Sequence, residues 1–164
     1  MIFHFHKTSL LARLRDTRGF MIAEQLISII FIGLLCIAVT AGLQAAMNSY
    51  GRITTQTQAD SMLSQAVEVV SDELVYALSV EADNVTFVSA TRHESATLRS
   101  GEQGIWLEAD GTQYNLAPTE NGLSPTLSDL SYDAYAGTWS FRITIQSGGS
   151  TLADTTMTVK RIGS

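Results

Sequence analysis

The chain has 164 residues, a mass of 17.8 kDa and a formal net charge of −6, a size that fits one domain, or one small domain with an extension. An apolar fraction of 45% excludes a mostly disordered chain, and a single cysteine excludes an intramolecular disulfide framework or a cysteine-cluster zinc site. The acidic balance argues against broad nucleic-acid binding, which needs clustered Lys and Arg.

The charge is segregated along the chain. Residues 1–18 carry Lys7, Arg13, Arg15 and Arg18 against Asp16, a net of +3, whereas residues 20–164 carry six basic and fifteen acidic side chains, a net of −9. No charged residue occurs in the 27 positions 25–51. A bilayer span needs about 20 predominantly apolar residues. Residues 26–43 are apolar all round, as in a membrane helix or a deeply buried one. A chain of this size has too little mass to bury such a helix within itself, so the bilayer is the expected solvent. Four basic residues precede the run and only Arg52 follows it closely, which places the N-terminus in the cytoplasm and everything after about Arg52 outside. The rival is an ordinary secretory signal, with an apolar core of about 7–15 residues and small residues at its cleavage site. Ala38, Ala41, Ala45 and Ala46 are available for one.

The pattern beyond the run argues against cleavage there. Ala59, Leu63, Ala66, Val70, Leu74 and Ala77 recur at spacings of four and three, which draws one apolar stripe on a helix. Glu68 and Asp72 fall opposite it, with Asp60 and Glu73 at its borders. No proline interrupts residues 1–117. The expectation is one continuous helix from about Phe20 to about Val80, roughly 90 Å at 1.5 Å per residue, apolar in its first half and amphipathic in its second. Gly33 and Gly42 are its weak points, unless they permit close helix packing in a bilayer.

After Asp83 the texture becomes β-like. Residues 85–88 are β-branched and aromatic. Residues 104–108 and 112–116 flank Asp110-Gly111 as a hairpin. Trp139, Phe141, Ile143 and Ile145 alternate on one face of a strand, and Gly148-Gly149 turns the chain into a return strand over residues 152–159. About four to six short antiparallel strands fit, with the stripe at 59–77 covering their apolar face. Residues 118–125 read as a loop. The expected fold class is α+β: a long N-terminal helix, transmembrane in its first half and amphipathic in its second, packed on a small antiparallel β-sheet. The divisions are a basic leader 1–19, a transmembrane half 20–51, an amphipathic half 52–82 and a β domain 83–164.

The functional signal lies at Arg18-Gly19-Phe20-Met21-Ile22-Ala23-Glu24. A basic stretch ends in glycine, Phe20 opens the apolar run, and Glu24 is the only charge in positions 20–51. This junction closely resembles the prepilin processing motif of type IV pilins and type II secretion pseudopilins, over about residues 13–50. The resemblance implies a pilin-like fold and a processing pathway. A membrane prepilin peptidase cuts between Gly19 and Phe20 and methylates the new amino group of Phe20. The leader is removed, and the 145-residue remainder waits as a single-pass protein of the cytoplasmic membrane. An ATP-driven assembly machinery then moves it into a helical filament with other pilin subunits, so that it ends at the cell surface. Two departures matter. Ala41-Gly42 stands where many type IVa pilins have proline, and Cys36 in the span is the only cysteine, where many Gram-negative pilins close a C-terminal disulfide loop. The first means that a proline-induced kink is not expected; the second points away from a classical Gram-negative major pilin, and the acidic, cysteine-free body suits a minor pilin, a pseudopilin or a Gram-positive pilin equally well.

The physics of the junction is consistent with those roles. A carboxylate in a span is expensive, about 2.5–3.5 kcal/mol at the centre on insertion scales and less near the edge. It therefore wants a cation, and cleavage creates one at Phe20. In a filament, Glu24 of one subunit meeting the amine of a neighbour acts as a register device. Glycine before the cut lets an extended backbone approach the peptidase closely.

Other residues are better read blandly. Cys36 is a lipid-facing or packed thiol, and His4 and His6 lack further metal ligands. Asn84-Val85-Thr86 matches a glycosylation sequon that a bacterial protein leaves unmodified. Glu108 and Asp110 beside Gly111 lack the acidic spacing of a calcium loop. Trp106, Tyr114, Trp139 and Phe141 are either an adhesive patch or, preferably, a covered sheet face. Asp129, Tyr132, Asp133 and Tyr135 look exposed and available to a neighbour. His93 has no nucleophile motif around it, and no phosphate loop or dinucleotide fingerprint occurs. No catalytic residue, metal or cofactor is therefore expected. Beside the filament subunit stand two other readings: a single-pass anchored binding or adhesion protein that never polymerises, and a secreted protein that starts near residues 42–47.

Overall fold

The computed structural model describes the backbone of residues 17–162 and the side chains of residues 21–162. Among the described residues one helix, α1 (Thr17–Val75), of 59 residues, is followed by eight strands: β1 (Ser79–Val80), β2 (Phe87–Val88), β3 (Ser95–Gly101), β4 (Gly104–Ala109), β5 (Thr112–Pro118), β6 (Ser124–Asp133), β7 (Thr138–Ser147) and β8 (Ser150–Lys160). The chain divides into two units, Met1–Gly51 and Arg52–Ser164. In the first, every described side chain, from Met21 onward, is exposed. The second holds the outer half of α1 and all eight strands, so the protein is α+β.

The helix ends five residues before the expected Val80. The Tyr76 N–H still reaches the Asp72 carbonyl at 3.2 Å, and Ala77 tightens onto Leu74 at 3.4 Å. The Leu78 N–H then turns to the Val88 carbonyl at 2.9 Å, which commits the chain to β1. The terminus is thus set by a non-local strand pairing and not by a glycine or proline stop signal, which the local sequence lacks.

The strands number eight, not four to six, and form two antiparallel sheets. One is a five-stranded meander in the order β1-β2-β3-β4-β5, the other a three-stranded meander β6-β7-β8. The extra strand in the second sheet, β6, begins in the last two residues of the segment expected as a loop and runs on through residues 126–133. Residues 119–123 contract to a tight turn closed by a Glu120–Leu123 bridge, Leu123 and Pro125 are buried, and β6 begins at Ser124. Pro125 is compatible with a strand here because β6 lies at its sheet's edge, near the strand's first residue. Both expected hairpins form. Asp110 and Gly111 have φ of 48° and 70°, and Gly148 and Gly149 of 56° and 83°. Two successive left-handed residues match the twist of the flanking strands.

The core of the second unit is built from alternation meeting periodicity. Trp139, Phe141, Ile143 and Ile145 of β7 are fully buried. They share one cluster with Ile105 and Leu107 of β4, Phe87 of β2, and Ala59, Ala66, Val70 and Leu74 of α1. Ala77 completes the stripe just past the helix end, and Leu63 is half-buried at its rim. Phe87 meets Trp139 edge-on at 5.7 Å. Small residues on the helix side let the sheet approach closely, and large ones on β7 fill the space between.

Candidate functional site

The first residues of the junction lie in α1 itself. Because the helix starts at Thr17, the Gly19–Phe20 peptide bond falls within its first turn. The leader residues 1–16, with His4 and His6, lie outside the described residues, as do the side chains of Gly19 and Phe20. Glu24 is exposed and has no hydrogen-bond or ion-pair partner among the described residues. It shares a helix face with Ser28, one turn on.

From Leu26 to Leu43 the helix is predominantly apolar. All residues 21–58 are exposed, including Ile29, Ile30, Phe31, Leu34, Leu35, Ile37 and Val39. The helix is long and apolar enough to cross a membrane, with none of its most apolar window buried inside the protein. That suits a membrane anchor. The Thr40 hydroxyl, late in the run, is internally satisfied, donating to the Cys36 carbonyl at 2.8 Å. Cys36 itself is exposed on this surface.

The remaining residues singled out from the sequence are dispersed. Glu108 is paired with Arg99 across β3 and β4 at 2.7 Å, and Asp110 turns the hairpin. Thr86 of the sequon donates its hydroxyl to Asp83 at 2.6 Å, while Asn84 sits at φ 58° in the turn. The Thr86 hydroxyl, the Thr86 N–H and the Val85 N–H, all donated to Asp83, hold its carboxyl below the usual carboxylate range.

The aromatic set forms no single patch. Trp139 and Phe141 are core. Trp106 is half-buried on the other sheet, where it pairs with Arg99 and Asn115, and Tyr114 carries the Arg92 guanidinium 3.6 Å from its ring centre. Of the four residues expected to be exposed, Tyr132 is not: it packs on Trp139 at 4.9 Å. Tyr135 is fully exposed at the β6–β7 turn, with Asp133 accepting the N–H groups of Tyr135 and Ala136. Asp129 occupies a left-handed position in the β6 bulge. His93 is exposed on a turn, its N–H bonded to the Ser89 carbonyl.

Two polar groups that matter to the fold gave no local signal. Glu73 accepts from Ser89 at 3.0 Å and Thr91 at 2.9 Å, which ties the β2–β3 loop to α1. Arg161 donates to the carbonyls of Ala77 and Leu78 just past the helix end, at 3.3 and 3.0 Å. Both partners are distant in sequence, so spacing could not reveal them.

No family model, curated protein or solved structure matches this chain.

Proposed function

We propose that the chain is a structural subunit, a minor pilin or pseudopilin, of a type IV pilus-like filament or type II secretion pseudopilus. On this reading it is a substrate of prepilin peptidase and not an enzyme. It waits in the cytoplasmic membrane with its N-terminus inside, is handed by the assembly machinery to other pilin subunits, and reaches the cell surface in the filament. The observation that carries the reading is the isolated Glu24: one carboxylate, without a partner among the described residues, fifth in an apolar run that opens directly after Arg18-Gly19.

The first turn of α1 adds a step to the processing. A peptidase takes its substrate extended, so the Gly19–Phe20 bond must leave the helix before it is cut. The first-turn N–H groups have no intrahelical partners to lose, and glycine is among the weakest helix formers. A bulky residue at Gly19 would obstruct both the unwinding and the close approach of the backbone.

Mass spectrometry and N-terminal sequencing of the protein from cells that contain a prepilin peptidase test the reading. N-methyl-Phe20 at the amino end is expected. Recovery of the intact chain, beginning at Met1, overturns it in favour of a non-polymerising anchored protein, and a start near residues 42–47 overturns it in favour of a secreted one. The register role of Glu24 is tested separately. Glu24→Gln should be cleaved normally yet fail to enter filaments, and undiminished incorporation refutes the pairing.

A further inference from the structure

Two features of the second unit are left unused by its own fold, and both lie on α1. The first is a groove of about 460 Å³ between α1 and the β2–β3 loop, lined by Val69, Asp72, Glu73, Tyr76, Ala90 and Thr91. It is preformed, because Glu73 holds the loop through Ser89 at 3.0 Å and Thr91 at 2.9 Å. Apolar surface lies open in it, with Val69 36% and Tyr76 55% exposed. Its rim is acidic. Asp72 and, one turn earlier, Glu68 are exposed, and neither carboxylate has a partner among the described residues. Like charges four positions apart destabilise a helix, so this pair does nothing for the single chain.

The second feature is Arg52. It is the only basic residue in positions 19–91. It is exposed, and among the described residues it has no partner. The positions three and four away along the helix are Asn48, Ser49, Thr55 and Gln56, none of them acidic. Beside it the Ile53 side chain is 65% exposed. Most other cations of the unit are occupied. Arg99 and Arg142 pair with Glu108 and Asp154, Arg92 lies over the Tyr114 ring, and Arg161 binds carbonyls just past the helix end. Lys160 precedes Arg161 at the groove's own end of the unit, so it suits a head-to-head contact and not a head-to-tail one.

We propose that Arg52 and Ile53 of one copy of this chain dock in the Val69–Tyr76 groove of a second copy. A guanidinium without a partner then meets carboxylates without one, with the Tyr76 ring available to its flat face, and Ile53 covers Val69. The contact cannot form within one chain, since Arg52 and Asp72 stand twenty positions, about 30 Å, apart on one continuous helix. Between copies two different surfaces meet, which makes the contact heterologous and able to repeat along a filament. It displaces the second copy by about 30 Å along the helix. Two copies anchored at one depth in a bilayer, whose hydrocarbon core is itself about 30 Å thick, do not reach each other in this way. The contact therefore rests on the filament reading proposed above, and it is the means by which this subunit follows itself there.

Disulfide trapping in filaments tests it. Two differently tagged versions of the full chain, both with Cys36→Ala, carry Ile53→Cys in one and Val69→Cys in the other. They are produced together in cells that hold the peptidase and the assembly machinery. In sheared filaments a disulfide should join the two tags, and copies that carry the same substitution should stay unlinked, as a heterologous contact requires. Arg52→Asp and Asp72→Arg should each lower the amount of chain in filaments about ten-fold, because like charges then face each other across the contact. Both reversals in one chain should restore it. Filaments that contain the chain without the disulfide, a disulfide from Ile53→Cys to a different protein instead, or a double reversal that restores nothing, as a lipid-headgroup role for Arg52 would give, each overturn the contact alone. Absence of even the wild-type chain from filaments overturns the filament reading, and the contact with it.

Discussion

Replacing Arg161 with alanine isolates one long-range clamp. Its Nη1 donates to the Ala77 carbonyl at 3.3 Å and the Leu78 carbonyl at 3.0 Å, and its Nε to the Tyr132 hydroxyl at 3.4 Å. The last turn of α1 contains no basic residue, so this guanidinium, delivered from beyond β8, is the cation at the negative end of the helix dipole. A hydrogen bond from a charged group contributes about 1.5–3 kcal/mol when well formed. Two of the three here are long and the side chain is half-exposed, so the clamp as a whole contributes about 2–3 kcal/mol. At roughly 4 °C per kcal/mol for a unit of this size, Arg161→Ala should melt roughly 8–12 °C lower. The variant should still fold, because the backbone bonds of Arg161 to Gly137 at 3.0 Å and of Ile162 to Val75 at 2.8 Å do not need the side chain. Tryptophan fluorescence is a suitable probe, since Trp139 is fully buried and stacked on Tyr132. Arg161→Lys keeps the charge but not the fork, and should recover about half of the loss. A melting temperature within about 1 °C of wild type for the alanine variant would refute the clamp.

Other expectations follow from single sites. Gly104 has φ 108°, and a Cβ there would lie 2.0 Å from the Ala117 carbonyl oxygen, so Gly104→Ala should destabilise by more than about 3 kcal/mol in a urea titration. Glu73→Ala leaves the buried Ser89 hydroxyl with Thr91 at 2.9 Å and the Arg92 N–H at 3.3 Å but without its carboxylate acceptor, which should cost about 1–2 kcal/mol and speed proteolysis of the β2–β3 loop. The Asp83 pKa is depressed from 3.8, chiefly by the Thr86 hydroxyl. Its contribution is therefore complete above the unfolded value of 3.8 and is lost as pH falls through the lower folded value. NMR of the Val85 and Thr86 amides should show a midpoint below 3.8, and Asp83→Asn should abolish that titration.

Local chemistry was legible in the sequence wherever it was self-sufficient. The alternation of β7, the Asp110-Gly111 and Gly148-Gly149 turns and the stripe from Ala59 to Ala77 each carry their own period or dihedral requirement, and each forms as read. β6 was missed because its first residues, Ser124-Pro125, close a segment that looks like loop by composition, and residues 126–133 show no strict apolar alternation. It becomes a strand because β7 offers a long partner, with Pro125 opposite Ile145 and Leu127 opposite Ile143. The helix end was misplaced for the same reason, since Val88 and not Gly or Pro stops it. The junction at Gly19, Phe20 and Glu24 was legible only as a pattern. Among the described residues no cation lies beside Glu24, so neither periodicity nor the described part of the chain displays a partner for it.

The energetics of insertion bear on why Glu24 is there at all. Residues 26–43 include eleven Leu, Ile, Phe or Val, each favouring the bilayer by about 0.3–0.6 kcal/mol, or about 3–7 kcal/mol together. A charge at the bilayer centre opposes this by about 2.5–3.5 kcal/mol, and one near the edge by less. Near the edge of the run, where Glu24 stands, the cost is the smaller one, so the helix stays apolar enough to cross a membrane with the carboxylate in place. The same comparison shows that the carboxylate does nothing for anchoring, since leucine at that position would insert better. Nor does Glu24 serve the fold, since no group among the described residues bonds to it. A charge that opposes insertion and has no partner among the described residues is what a contact with a later partner would require. On the proposed reading that partner is the amine released at Phe20. Cleavage then converts an unfavourable feature of the membrane-bound precursor into the contact that selects the mature subunit, because a chain still carrying its leader has a peptide bond where the cation must be.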